Sequence, residues 1–318
     1  MTASTAKSTG RSTTLRQRRV QEALAGYGFI AVPMAIFLIF NIGAIAFALV
    51  ISVFDWGVRA GPREFLALDN YTRALGDPIF WTAVGNTLRY AVIVVPLQMA
   101  LGLFLAVIVN QKIRGQTFFR AAFYFPAIAS SAAVTVLFLF IMSPDGLFNG
   151  FRQAIGPFDI FGWLGLPENH SWVGRSNTAL ESIMVLNAWT TSGTMMLFYL
   201  ASLQTISRET YEAAELDGAN AWQTFWRITF PLLRPGHYFV ATVSFIGALQ
   251  VFDQAYIAGG PEGTPNNALT TMVLFLVRNI QSTIDMGFAA AVGMILFVLI
   301  MGVTLIQRRL FGAAPSWY

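Results

Sequence analysis

The sequence predicts an all-α membrane protein with six transmembrane helices and both ends in the cytoplasm. Three observations predict it. Of 318 residues, 55% are hydrophobic and only 11% charged, against roughly 25% charged in a soluble domain. The apolar residues, which lift mean hydropathy to +0.58, fall into charge-free runs of a length that crosses a bilayer, roughly 20 residues as helix. Lys and Arg gather in alternate connections between these runs. An ordinary cytosolic enzyme and a disordered chain are both excluded. Cysteine is absent, which removes disulfides, thiolate metal sites and cysteine nucleophiles.

The six runs are 23–54, 90–110, 121–142, 182–206, a shorter one at 235–252, and 286–307. The stretch 268–277 is too short to cross and reads as an interfacial or partly buried outer helix. The first run carries about 20 apolar residues before its Ala46-Phe47-Ala48 triplet, beyond the 7–15 of a signal core, so it reads as a retained span. Lys7, Arg11, Arg16, Arg18, Arg19, Lys112, Arg114, Arg120, Arg208, Arg227, Arg234, Arg308 and Arg309 lie on one side. Arg59, Arg63, Arg73, Arg152, Arg175 and Arg278 lie on the other. Thirteen against six places both termini inside. The basic, Ser/Thr-rich leader, 1–22, is expected to be a poorly ordered arm facing anionic lipid, with no role in nucleic-acid binding. The membrane domain spans 23–310 and a cytoplasmic tail 311–318.

Within the six runs there is no Asp, Glu, Lys or Arg. Ion-coupled transporters keep such groups in their spans, so the interior suits a neutral, hydroxyl-rich cargo. His237 stands at a cytoplasmic edge, as a capping or interfacial residue. No Gly-Lys-Ser/Thr stands in the chain to cradle nucleotide phosphates. Its two histidines, His170 and His237, are too far apart for a helical zinc pair. The chain is expected to be no enzyme and to bind no cofactor or metal. Uphill transport would draw its energy from another subunit.

The connection 207–235 is unusually structured. Ser207 is placed to cap a helix over 208–217 by accepting a backbone N–H. Glu209 and Glu212 lie where the helix dipole favours acid, and Gly218 provides a left-handed stop. A second helix follows, capped by Asn220, with Trp222, Phe225, Trp226 and Thr229 in one stripe, until Pro231 and Pro235 end it. Ala213, Ala214, Gly218 and Ala219 permit close approach of another surface, and Glu212 and Asp217 offer it carboxylates. An amphipathic hairpin lying on the membrane would instead carry Lys and Arg on its polar face.

Glu212-Ala213-Ala214-x-x-Asp217-Gly218-Ala219, followed nine residues on by Ile228-x-Phe230-Pro231, resembles the EAA loop of permease subunits in binding-protein-dependent ABC importers. Phe230 replaces the usual Leu. Leu68-Asp69-Asn70-Tyr71, Asp77-Pro78-Ile79-Phe80-Trp81, Asn86-Thr87-Leu88, Arg114-Gly115-Gln116-Thr117-Phe118-Phe119-Arg120, Gly146-Leu147-Phe148-Asn149 and Gly259-Gly260-Pro261 are similar to segments of the sugar-permease branch, of the maltose and glycerol-phosphate type. The resemblance implies a type I importer permease fold in a bacterial or archaeal cytoplasmic membrane. It also implies partners: a second permease subunit, two ATPase subunits holding ATP and Mg2+, and an extracytoplasmic solute-binding protein. Each EAA loop then sits in a cleft of one ATPase, with Glu212 meeting a basic residue.

For cargo, the fourth run offers Asn187, Trp189, Thr190, Thr191, Ser192 and Thr194, polar groups that are costly in lipid unless they face protein or water. Asn187, Thr191 and Thr194 share a helical face. The fifth offers Ser244, Gly247 and Gln250. Maltose-permease-like subunits draw sugar contacts from these two spans; Trp189 matches an aromatic there, while Gly247 and Ala248 replace larger residues. Helix packing is the competing role for these small and polar side chains. A self-sufficient facilitator for small neutral solutes is the alternative function.

Overall fold

The computed structural model describes residues 15–57, 61–111 and 114–311. It has two compact units, Met1–Val50 and Ile51–Tyr318. In the first, α1 (Leu15–Phe37) passes through a π turn (Leu38–Ile42) into α2 (Gly43–Ile51). The leader is therefore helical from Leu15 onward rather than an irregular arm, since Leu15-Arg16-Gln17-Arg18-Arg19 are good helix formers. Residues 1–14 and 312–318 lie outside the described residues. So do Lys7, Arg11, Arg59 and Lys112, which contribute to the charge asymmetry.

The second unit opens with an element the all-helical expectation lacked. Strands β1 (Phe54–Gly57) and β2 (Gly61–Phe65) form an antiparallel hairpin, with the paired rings of Phe54 and Phe65 5.3 Å apart. Aromatic pairs across strands favour this structure. Asn70, in α3 (Asp69–Gly76), donates to the carbonyls of Ser52 and Phe54, both at 3.0 Å, and so pins the hairpin down.

Helix α4 (Pro78–Asn110) has 33 residues and starts well ahead of the expected 90. Asp77 caps it by accepting from the Ile79 N–H at 2.7 Å, and Pro78 fills the first position. The charge-free criterion stopped at Arg89, but Arg89 is paired with Glu181. The expected third span is broken: α5 (Gln116–Ile128) and α6 (Ser131–Ile141) meet at 94°. Pro126 lacks the N–H that would continue the ladder, and Ala129 and Ser130 are extended, with ψ of 153° and 124°.

The next connection carries α7 (Leu147–Ile155) and the one-turn α8 (Ile160–Trp163). They are folded around a guanidinium: Arg152, 1% exposed, forms a two-pronged pair with Asp159 at 2.9 and 3.1 Å. Asn149 accepts from Arg152 and from the Trp172 indole, and donates to the His170 carbonyl. Then come α9 (Ala179–Leu203), α10 (Arg208–Leu216), α11 (Ala221–Thr224) and α12 (Phe230–Leu232). The last group is α13 (Arg234–Leu249), α14 (Asp253–Gly259), α15 (Met272–Arg278) and α16 (Met286–Phe311).

Among the described residues, four stretches are long and apolar enough to cross a membrane: Arg18–Ile51, Pro78–Asn110, Arg234–Gly259 and Met286–Arg309. The bent α5–α6 pair, taken as one unit, passes the same test of length and composition. At 25 residues, α9 reaches about 37 Å, but its polar centre, Asn187 to Thr194, dilutes its hydropathy. The short 268–277 stretch becomes α15, which belongs to the core: Met272 and Phe275 are buried among Phe80, Phe288 and Val292, and Leu274 in a second cluster with Leu249 and Leu269.

Helix α9 packs along α4 and α5 through glycines. A Cβ on Gly102 would meet the Cβ of Met195 at 2.6 Å, and one on Gly193 would strike the Phe123 carbonyl. Lipid tails are as apolar as leucine, so this close van der Waals fit, rather than exclusion of water, holds the spans together.

Candidate functional site

The element after α9 is built by its caps. Ser207 occupies the N-cap position of α10 but makes no side-chain cap; its hydroxyl is shared with Thr210 Oγ1 at 3.0 Å. Glu209's own backbone N–H, then the Ser207 hydroxyl, hold the Glu209 carboxyl below the usual carboxylate range. At the other end Gly218 has φ +76°. Its N–H bonds the Glu215 carbonyl and the Ala219 N–H bonds the Ala214 carbonyl, each at 3.0 Å. That pair of bonds is a Schellman stop, in which glycine carries the left-handed residue without steric cost. Asn220 and Gln223 then form a reciprocal capping box at 2.9 and 3.0 Å.

After α11 the chain widens into a π turn, Phe225–Thr229. The expected even stripe is thereby split: Thr229 is buried, Phe225 half-buried, and Trp222 and Trp226 are exposed. The break expected of Pro231 and Pro235 falls at Leu233, because each proline takes an early position of a helix, α12 and α13.

The outer face of this element presents Glu212, Ala213, Asp217 and Gly218, while Ala214 is buried and Ala219 half-buried. Glu212 is held by Arg208 at 2.7 Å, one turn back. Leu216, a residue not singled out in the sequence, is 89% exposed, and Trp222 is 71% exposed. Only the fold reveals Leu216, because helical periodicity alone does not tell which face lacks a neighbour.

Aromatic contacts run from this surface to the spans. Trp222, Trp226 and Phe230 follow one another at 5.6 and 5.1 Å between centroids, and the Phe230 ring lies 4.5 Å from that of His237. The buried His237 is fully engaged: Nε2 with the Phe230 carbonyl at 3.2 Å and Nδ1 with the Tyr199 hydroxyl at 2.9 Å. It ties the end of the connection to both α13 and α9. This is a structural strut, more than the interfacial cap expected of it.

The candidate cargo residues do not form one face. Asn187 Oδ1 accepts from Gln98 Nε2 at 2.6 Å, turning toward α4. Thr191 and Thr194 line a cavity beside the α5–α6 break. Ser244 is buried, its hydroxyl donating to Met195 Sδ at 3.2 Å, so α13 packing absorbs it. Trp189, Gly247 and Gln250 are exposed. Among the described residues no group of three His, Asp or Glu side chains gathers to hold a metal ion.

Residues 98–312 match the model of the family described as binding-protein-dependent transport system inner membrane component. The chain belongs to that family. It is a permease subunit of the ABC transporter class, a multi-pass protein of the cytoplasmic membrane, and ATP hydrolysis is carried by a separate subunit. The permease is 32% identical over 294 residues to the probable ABC transporter permease protein YurN of Bacillus subtilis, covering 92% of this chain and 97% of that one. It is likewise 32% identical over 295 residues to the arabinooligosaccharides transport system permease protein AraP of the same organism, covering 91% and 89%. Its fold is that of a chain of a bacterial alginate ABC transporter, solved with an alginate pentasaccharide-bound periplasmic protein. The TM-score is 0.75 at 19% identity, over 92% of this chain and 95% of that one.

Proposed function

We propose that this permease forms half of the path by which an ABC importer takes up a sugar or related polyol, driven by ATPases that grip the 207–235 element. The carrying observation is that element's outer face. Acids (Glu212, Asp217) and strongly exposed apolar side chains (Leu216, Trp222) stand together on a surface stiffened by a Schellman stop and a capping box. Strongly exposed apolar side chains on a short polar connection fit a protein contact. The His237 strut then gives motion of the element a rigid route into α9 and α13.

Six crossings follow on this reading: the four apolar stretches, the bent pair and α9. Both termini lie inside, with 1–22 as leader, 23–310 as membrane domain and 311–318 as tail. A second permease supplies the other half, two ATPases hold ATP and Mg2+, and a soluble binding protein delivers cargo outside. Glu212, Ala213, Ala214, Asp217, Gly218 and Ala219 form the coupling surface. Trp189, Gly247 and Gln250, being exposed, and Thr191 and Thr194, at a cavity, are the path residues the geometry favours. AraP's name and the alginate titles both concern saccharides, the alginate an acidic one.

Reconstitution tests this. Vesicles holding the permease with its partner subunits, loaded with ATP, accumulate labelled saccharide; a Gly218→Pro variant does not. Uptake by the permease alone, without ATP, would favour the facilitator instead.

A further inference from the structure

A groove of about 990 Å³ runs between α4, α13 and α16. Its walls are hydrocarbon: Val95, Met99 and Leu103 of α4, Phe245 of α13, and Val303 and Ile306 of α16. Ala100 and Ala241, also on the walls, leave open what longer side chains would close. Along α13 the groove reaches from Arg234 to Phe245, about 16 Å at a rise of 1.5 Å per residue. That is the depth of one leaflet, because the hydrocarbon core of a bilayer is about 30 Å thick.

Polar groups collect at one end. His237 Nδ1 and the Tyr199 hydroxyl are bonded to each other at 2.9 Å. The Gln307 amide donates to the Tyr238 carbonyl at 3.2 Å and to Thr242 Oγ1 at 2.9 Å. Arg234 carries the charge among the described lining residues. Arg308 and Arg309, both exposed, follow Gln307 in the last turn of α16. Helices α4, α13 and α16 contain no Asp or Glu, so they bring only positive charge to this end.

An occupant matched to these walls is a long apolar chain with an anionic group at headgroup depth. Another transmembrane helix matches the end poorly. Such helices keep their own Lys and Arg on the cytoplasmic side, which would crowd further cations against Arg234. A phospholipid meets both demands, and the cytoplasmic leaflet carries anionic ones.

We propose that this groove is a lipid site of the cytoplasmic leaflet, taking an acyl chain of an anionic phospholipid along α4, α13 and α16 with its phosphate at Arg234. The site rests on the orientation proposed above, with α16 ending inside. Phe230 and His237 line the same end, so the bound lipid touches the strut that joins the coupling element to α13.

The test uses the complete complex in phosphatidylcholine vesicles. These hold a trace of phosphatidylglycerol or of phosphatidylcholine, each with the same photoactivatable group in its acyl chain, and cross-links are mapped by mass spectrometry. In wild type, phosphatidylglycerol labels 95–103, 241–245 and 303–307 at least about fivefold more than phosphatidylcholine does, the scale of one cation acting on an anionic lipid. Arg234→Gln lowers phosphatidylglycerol labelling roughly fivefold and leaves phosphatidylcholine labelling unchanged. Arg234→Lys restores it; a change in packing alone would move both lipids together. Ala100→Leu, at an exposed position, narrows the groove and lowers labelling by both. Equal labelling by the two lipids in wild type overturns the site. So does the absence of labelling in these segments, the result expected if a helix of a partner subunit covers them. Impermeant-maleimide labelling of Glu212→Cys reads the orientation independently, so the two failures are distinguishable.

Discussion

Gln98 on α4 donates to Asn187 on α9 across 2.6 Å, two neutral side chains 89 residues apart meeting between apolar helices. Asn187 thereby serves the bundle. In the membrane such a bond is worth about 0.6 to 2 kcal/mol, and removing one partner strands the other. Asn187→Leu is expected to lower thermal stability in detergent, and the double variant with Gln98→Leu to recover part of the loss. A strictly additive double variant would contradict the pairing.

The glycines of α9 and α4 make a second, sharper prediction. Gly193→Ala places a methyl group against the Phe123 carbonyl and the Tyr124 backbone. Overpacking of this kind costs about 1–3 kcal/mol. Gly247→Ala, whose Cβ meets nothing within 4 Å, is the matched control and keeps the wild-type melting point. Equal melting points for both variants would count against the packing described.

The connection carrying α7 and α8 is expected to loosen in acid. Its hydrogen bonds with Arg152 hold the Asp159 carboxyl below the usual range, and burial, with Arg175 and Arg152 nearby, pushes the His170 imidazole down. Both groups bind fewer protons folded than unfolded, so stability is full at neutral pH and is lost as pH falls. The loss begins below about pH 6.5 as unfolded histidine protonates, and grows below about pH 4 as unfolded aspartate does. Protection factors for hydrogen exchange over 147–178, measured against the intrinsic rate at each pH, should be lower at pH 5.5 than at 7.5. His170→Phe should flatten that difference; a pH-independent wild type would refute it.

Leu216 separates docking from folding. At 89% exposure, Leu216→Asp should change stability by no more than about 0.5 kcal/mol, yet abolish ATP-driven uptake by placing a charge in the proposed ATPase contact. Gly218→Ala, forced to adopt φ +76°, should cost about 1–2 kcal/mol locally and reduce uptake in proportion. Full uptake with Leu216→Asp would remove the docking surface from this site.

What the sequence made legible was local. Gly218, Asn220 and the acids of the first turn announce α10 and α11, because caps and stops act over three or four residues. Run lengths placed most helices. Charge counting cut α4 short at Arg89, because a partner 92 residues away neutralises it. The α5–α6 bend lay within a run counted as one span because it is charge-free, although Pro126 and the Ser130-Ser131 pair stand where it breaks. Likewise Asn187, Thr191 and Thr194, one helical stripe in sequence, were divided between two neighbours by packing that no periodicity records.

The chain contains no cysteine, so a single Glu212→Cys variant reports the sidedness of the coupling element without background. With a membrane-impermeant maleimide, the account predicts no labelling in intact cells and full labelling once the membrane is permeabilised. Labelling in intact cells would put the element outside, beyond reach of any ATPase, and contradict the account.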